Sequence, residues 1–168
     1  MIELFASLFI FKHKFNAMNL GIKEEDIKKS VNMLSIALAD EMTLYVKTRK
    51  FHWNVSGQSF MEFHKLFEAH YTQLETIIDE IAERISKLGS NTIGTMDEFS
   101  KITRIKESPG KYPTQKDMLK ELLADHESLI IECRKNVEMD SDVGTTDYFT
   151  KLVQDHETIA WTIRRYLN

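Results

Sequence analysis

Residues 60–88, FMEFHKLFEAHYTQLETIIDEIAERISKL, decide how this chain of 168 residues folds. Apolar residues recur there at steps of three and four, which is the period of an α-helix with one buried face. A helix of this length with a continuous apolar face requires other helices to pack against it, so the stretch predicts a helical bundle. The apolar face consists of Phe63, Leu66, Phe67, His70, Leu74, Ile77, Ile81, Ile85 and Leu88.

A second face of the same helix carries residue types that bind metals. With His64 at 0° and about 100° per residue, Glu68 lies near 40°, Asp79 near 60° and Glu83 near 100°. A rise of about 1.5 Å per residue separates His64 from Asp79 by roughly 22 Å, whereas metal–ligand bonds are about 2 Å long. One chain cannot close such a site. Two antiparallel copies related by a twofold axis would bring the His64 end of one helix to the Asp79 end of the other, forming two identical sites.

A second imidazole, that of His52, belongs to the same constellation. His52 lies in the last turn of the preceding predicted helix, and the short loop after it brings it to the same end of the hairpin as His64. One chain then offers two nitrogens and the Glu68 carboxylate, while its partner offers Asp79 and Glu83. This mixture of ligands suits iron, and also manganese or zinc.

Taken singly, each of these residues is more typical of a solvated or packed helix position than of a metal ligand. Their joint spacing is what indicates a metal centre. The chain contains no Glu-x-x-His, the pair on which di-iron sites within one ferritin subunit depend. If this bundle binds iron, the sequence therefore predicts that it does so between chains.

The rest of the chain predicts an all-α domain. A first amphipathic helix covers about 24–55, and a capping box formed by Ser59 and Glu62 starts the second helix, which covers 60–88 and stops at Gly89. Only two prolines and six glycines interrupt the 168 residues, which favours helices over a sheet.

A long crossover of about 90–113 follows the second helix. Met96, Phe99 and Ile102 stand at helical spacing within it and predict a short extra helix. A long crossover of this kind is typical of a ferritin-like four-helix bundle. The third helix is predicted to start at a Thr114–Asp117 cap and to end near Val137, and the fourth to run from a cap at Thr145 to the C-terminus.

Composition excludes several classes of protein. The single cysteine, Cys133, rules out an intramolecular disulfide framework and suits a reducing compartment, so we expect a cytoplasmic protein. The net charge of −4 disfavours nucleic-acid binding by bulk electrostatics.

Residues 1–11 are apolar but too short to span a bilayer, and they lack the features of a secretory signal. We expect residues 1–17 to be a disordered extension or a start-site artefact, and 18–168 to form the domain.

Three further histidines, His70, His126 and His156, lie on apolar faces. We expect them to be core residues with hydrogen-bond partners rather than metal ligands.

Two segments carry a resemblance to a known family. The stretch KFHWNVSGQSFMEFHKLFEAHYTQLETIIDEIAERI, residues 50–85, resembles the signature of the Dps family, the mini-ferritins, and residues 140–167 resemble its last helix. The matching elements are the His-Trp pair at 52 and 53, His64 and the Asp79-Glu80-x-x-Glu83 run. In one position the chain departs from the commonest pattern, because Glu68 stands where many members have Asp. The side chain of Glu is one methylene longer than that of Asp and still reaches a metal.

The resemblance implies a dodecameric shell built from twofold dimers, with two iron ions in each ferroxidase centre. It implies that Fe(II) is oxidised, typically by hydrogen peroxide, and stored as a ferric mineral. It also places Asp142 and Asp147 near threefold pores through which iron passes, although acids at a helix start are equally well explained by the helix dipole. DNA binding in this family depends on a basic tail, and here the N-terminal lysines alternate with acids. A purely structural shell with no iron chemistry is the remaining alternative.

Overall fold

The computed structural model describes residues 19–168, which form five helices and no strand. In chain order these are α1 (Glu24–Asn54), α2 (Phe60–Lys87), α3 (Met96–Ile102), α4 (Gln115–Met139) and α5 (Val143–Leu167). Helix α1 packs along α2 and α4 along α5, while α3 lies in the crossover and packs on α1. The predicted ferritin-like bundle with a short extra helix is confirmed. The extension predicted for 1–17 lies outside the described residues.

The core is built from the helix faces that the periodicity indicates. Along α2, the side chains of Phe67, Leu74, Ile77, Ile81 and Ile85 are at most 1% exposed. They belong to one core cluster with apolar residues of α1, α4 and α5, and the burial of each large side chain contributes about 1.5–3 kcal/mol. The opposite face of α2 stays exposed over most of its length, which leaves it free for another neighbour.

The helix starts differ from the predictions in two places. Ser59 does precede α2, but its side chain makes no capping hydrogen bond, so the capping box predicted with Glu62 is wrong. The capping box of this chain lies instead at Thr95 and Glu98, where it starts α3. The predicted cap of α4 is confirmed, because the Thr114 hydroxyl accepts from the Asp117 amide.

Helix α5 begins earlier than predicted. Its cap is Asp142, whose carboxylate accepts hydrogen bonds from the amides of Gly144 and Thr145. The predicted cap, Thr145, lies inside the first turn and its hydroxyl accepts from Arg84 Nε at 3.1 Å. Arg84 also pairs with Asp142, so a contact with α2 fixes the point at which α5 starts.

A buried carboxylate fastens the crossover to α1. Asp40 is fully buried and accepts from Arg104 Nε at 2.8 Å and from Arg104 Nη2 at 2.6 Å. It also accepts from the Arg104 amide and from the Thr103 hydroxyl. Because these donors immediately follow α3, Asp40 positions the whole short helix against the bundle.

None of the helices within residues 19–168 is both long and apolar enough to cross a lipid bilayer.

We predict that Asp40→Ala lowers the free energy of unfolding by about 2–3 kcal/mol, since the Arg104 amide, Nε and Nη2 lose this acceptor while only Nη1 keeps its pair with Glu132. Denaturant unfolding followed by circular dichroism measures the change. The matched control is Asp97→Ala, which removes an exposed i,i+4 pair with Lys101 and should cost less than about 0.5 kcal/mol. Equal effects of the two substitutions would contradict the role given to Asp40.

Candidate metal centre

His52 and His64 meet at the hairpin between α1 and α2. His52 lies in the last turn of α1 and is 8% exposed, while His64 lies near the start of α2 and is half-buried. Their rings stack with centroids 3.7 Å apart and an interplanar angle of 20°. The predicted convergence of the two imidazoles is present in the structure.

Each ring is fixed by the backbone of the other residue. His52 Nδ1 lies 2.8 Å from the carbonyl oxygen of His64, and His64 Nδ1 lies 2.9 Å from the carbonyl oxygen of His52. A carbonyl only accepts, so Nδ1 carries the proton in both rings. In the neutral rings Nε2 then holds the lone pair, which is the arrangement found in metal-binding histidines.

The local fold explains why this exchange is possible. The His52 carbonyl belongs to the last turn of α1, where backbone oxygens have no partner within the helix. The turn from 55 to 59 directs α2 back across that end, and Gly57 adopts a φ of +117° that favours glycine. The hairpin therefore supplies an acceptor at the place where the second ring arrives.

An aromatic cluster surrounds the pair, and sequence reasoning missed most of it. Tyr71 contacts the His52 ring edge-on at 5.2 Å, and Tyr45 contacts Tyr71 at 6.1 Å. The Arg49 guanidinium lies 5.0–5.4 Å from the rings of Tyr45, Tyr71 and Trp53. The one signal in the sequence is spacing, since Tyr71 follows His64 by two helical turns and therefore shares its face of α2.

The predicted carboxylate ligands lie on the outer face of α2. Glu68, Asp79 and Glu83 are all exposed. Glu83 accepts a hydrogen bond from Lys87 at 2.9 Å, and this contact lowers the pKa of its carboxyl. Glu80, the second residue of the Asp79-Glu80-x-x-Glu83 run, instead faces α5, where its carboxylate pairs with Lys151 at 2.8 Å.

An open groove of about 620 Å³ lies between α1 and α2 beside Asp79. Met42 and Tyr45 line it from α1, and Ile78 and Ala82 line it from α2, so its lining is partly apolar. Within residues 19–168, no three His, Cys, Asp or Glu side chains are placed so as to surround one metal ion. The structure thus brings His52 and His64 together and leaves Asp79 and Glu83 away from them.

The two acids expected at pores have different surroundings. Asp142 is 7% exposed and bonded within its own chain. Burial alone would raise the pKa of its carboxyl, but the hydrogen bonds from Thr145 and Arg84 outweigh burial and lower it. Asp147 is exposed on the first turns of α5. A pore formed by these acids stays a prediction.

The remaining histidines form a separate buried cluster. His126 Nδ1 lies 2.8 Å from His156 Nδ1, and His156 Nε2 lies 2.7 Å from Oε1 of the buried Glu41, so these two histidines have the partners predicted for them. His70 departs from the prediction, because its Nδ1 is buried without a hydrogen-bond partner among the described residues. Glu41 was not anticipated as a member of this cluster.

Comparison with known proteins agrees with the fold. A family model described as a ferritin-like domain matches residues 31–168. An uncharacterized low temperature-induced protein of Nostoc is 40% identical over 154 residues, covering 89% of this chain and 86% of the relative. "DNA protection during starvation protein 2" of Bacillus anthracis is 34% identical over 144 residues, covering 84% of this chain and 98% of the relative.

Among solved structures, the Dps protein of Vibrio cholerae superposes with a TM-score of 0.84 at 30% identity, covering 91% of this chain and 99% of that one. That protein is described as a member of a broad superfamily of ferritin-like diiron-carboxylate proteins. The helical bundle and the match to the family model together define a ferritin-like protein. Within that class, the chain belongs to the Dps family.

We predict that the buried histidines cause the free energy of unfolding to decrease as the pH is lowered. Burial lowers the pKa of His70 to about 4, and burial, followed by the neighbouring histidines, lowers the pKa of His126 well below its ordinary value. The unfolded chain takes up these protons near pH 6.5, so the contribution is full above that pH and is lost as pH falls toward the folded-state pKa. From pH 7 to pH 5, His70 alone should cost about 2 kcal/mol.

Urea unfolding at a series of pH values measures this slope. The matched variant is His70→Leu, which removes one of the titrating groups and should unfold with a visibly weaker dependence on pH over the same range. An unchanged slope in His70→Leu would show that His70 is protonated in the folded chain as easily as in the unfolded one.

Proposed function

We propose that this protein oxidises Fe(II) at centres shared between two subunits and stores the ferric product inside an oligomeric shell. Membership of the Dps family supports iron storage and protection of DNA in general terms. The observation that carries the finer proposal is the reciprocal bonding of His52 and His64, which leaves two Nε2 lone pairs on one side of a hairpin. Imidazole nitrogens together with carboxylates suit iron among the first-row metals.

The second half of each centre comes from another copy of the chain. Asp79 and Glu83 share a face with Glu68 but lie roughly 22 Å from His64 along α2, which is far beyond the reach of one ion. A twofold axis through the exposed face of α2 places the Asp79 end of each chain against the His64 end of the other. The groove beside Asp79, with Met42, Tyr45 and Ile78, supplies apolar surface for such a contact.

The proposed reaction follows from holding two Fe(II) ions together. Each iron loses one electron, and hydrogen peroxide accepts both while it takes up two protons and leaves as two water molecules. Because the O–O bond is broken by two electrons in one encounter, no hydroxyl radical is released. The bonded Nδ1 atoms keep His52 and His64 in the ligand tautomer throughout, and Glu68, Asp79 and Glu83 offset the charge of the metal ions. We propose a dodecamer as the shell in which the ferric product collects.

We predict that the protein oxidises Fe(II) faster with hydrogen peroxide than with dioxygen. Stopped-flow absorbance in the near ultraviolet, at matched electron equivalents, measures both rates. Equal or slower oxidation with peroxide would favour an ordinary ferritin-like oxidase. A protein that leaves the background rate of iron oxidation unchanged would be a structural shell.

We predict that two inactive variants restore each other when mixed. His64→Ala and Asp79→Ala each damage every centre of a homo-oligomer, and each should lose at least about 100-fold in rate. In a mixed twofold pair, one centre carries both substitutions and the other carries none. Co-refolding equal amounts should therefore restore about a quarter of the centres.

The matched control mixes His64→Ala with His52→Ala. These substitutions damage the same half of the centre, so no arrangement of the two chains restores a complete one, and the mixture should stay inactive. Native mass spectrometry verifies that both mixtures contain mixed dimers. Recovery in both mixtures, or in neither, would contradict a centre shared between chains.

We also predict weak binding to duplex DNA at near-physiological salt, since the chain carries a net charge of −4 and Lys23, Lys28 and Lys29 alternate with Glu24, Glu25 and Asp26. Gel-shift titration over a range of salt concentrations measures it. Tight binding that weakens steeply with added salt would show that the N-terminal lysines act as a DNA-binding tail.

A further inference from the structure

The interior of the bundle contains a polar cluster that the interface centre does not use. Each long helix contributes one side chain: Glu41 from α1, His70 from α2, His126 from α4 and His156 from α5. Their exposures are 1%, 5%, 0% and 0%. Buried polar groups are normally paired, because an unpaired one loses its hydrogen bonds to water without replacing them. Here Glu41 Oε2, His70 Nδ1 and His126 Nε2 are all buried without a partner among residues 19–168.

The hydrogen bonds of the cluster assign its protons. An ionised Glu41 only accepts, so His156 Nε2 donates to it at 2.7 Å. In a neutral His156, Nδ1 then accepts, and its donor is His126 Nδ1 at 2.8 Å. His126 Nε2 consequently holds a lone pair that nothing satisfies. A histidine whose Nδ1–H is bonded toward a carboxylate while Nε2 is free has the arrangement of a metal ligand with its supporting shell.

His70 completes a pair of nitrogens with His126. The two rings lie with centroids 6.4 Å apart at an angle of 74°. Two metal–nitrogen bonds of about 2 Å, together with the distance from each nitrogen to its ring centre, span roughly 6 Å when the atoms are collinear. Both His70 Nδ1 and His126 Nε2 are buried without a hydrogen-bond partner among residues 19–168.

We propose that His70 and His126 form a site for monovalent copper inside each subunit, with His70 Nδ1 and His126 Nε2 as its two ligands. His156 and Glu41 are positioning residues that hold His126 in the required tautomer. The site is distinct from the interface centre, which uses residues at the α1–α2 turn and on the outer face of α2.

The number of ligands and the burial both favour a monovalent ion. Among residues 19–168 no third His, Cys, Asp or Glu is placed to share one ion with this pair, whereas zinc takes about four ligands. Monovalent copper is satisfied by two collinear nitrogens. A single charge also costs less to bury than a double one, and the Glu41 carboxylate, separated from the ion by His156 and His126, offsets it.

Anaerobic copper binding by the full-length assembly tests the proposal. We would compare His64→Leu, which removes one of the two interface histidines, with the double variant His64→Leu/His70→Leu. Titration against a chromophoric Cu(I) chelator measures the copper that each variant retains. His70→Leu replaces a ring with one unsatisfied nitrogen by an apolar side chain, so we expect it to fold, which circular dichroism and gel filtration verify. The single variant should retain about one copper per chain and the double variant should lose it.

X-ray absorption identifies the ligands of the retained copper, and two nitrogen neighbours are expected. A sulfur neighbour that disappears in Cys133→Ala would assign the ion to that thiol and overturn the proposal. Equal copper retention with and without His70 would overturn it as well. Binding of Zn(II) in place of Cu(I), with the same dependence on His70, would refute the monovalent assignment. Fe(II) oxidation by His70→Leu should match that of the unsubstituted protein, so a failure of the copper site leaves the proposed ferroxidase function standing.

Discussion

The exchange of hydrogen bonds between His52 and His64 is the interaction on which the proposed metal centre depends. Each ring donates to the carbonyl of the other residue, at 2.8 Å and 2.9 Å, and the rings stack face to face. The contact closes the α1–α2 hairpin and fixes two tautomers in one step. In the proposed centre, a folding contact would therefore order the two imidazole ligands before any metal binds.

A second constraint is the length of α2. A straight helix cannot bring His64 and Asp79 to one ion, yet it holds both on one exposed face with a fixed separation. In the proposed twofold dimer, the same rigidity sets the register between the two chains, because the axis pairs each end of α2 with the opposite end of its partner. The proposed function would then belong to the dimer, with each subunit holding two half-centres at a set distance.

The sequence was informative where a local period determines the structure. The apolar face of α2, the hairpin around Gly57 and the separation of His64 from Asp79 all follow from helix geometry. Prediction failed where contacts distant in sequence decide. The start of α5 is set by Arg84 reaching Asp142 and Thr145 from α2. The capping box is a local miss, because it forms between Thr95 and Glu98 and not at Ser59. The tautomers of His52 and His64 depend on carbonyls twelve residues away, and Glu41 joins the buried histidines only when α1 packs against α5.

The most direct test of the shared centre is anomalous diffraction from crystals of the assembled protein loaded anaerobically with Fe(II). The account predicts iron peaks in symmetric pairs at a twofold interface. Each peak should lie within bonding distance of Nε2 of His52 or His64 from one chain and of a carboxylate oxygen of Asp79 or Glu83 from the other. Iron bound only by residues of a single chain, or an interface that leaves His64 and Asp79 of neighbouring chains apart, would contradict it.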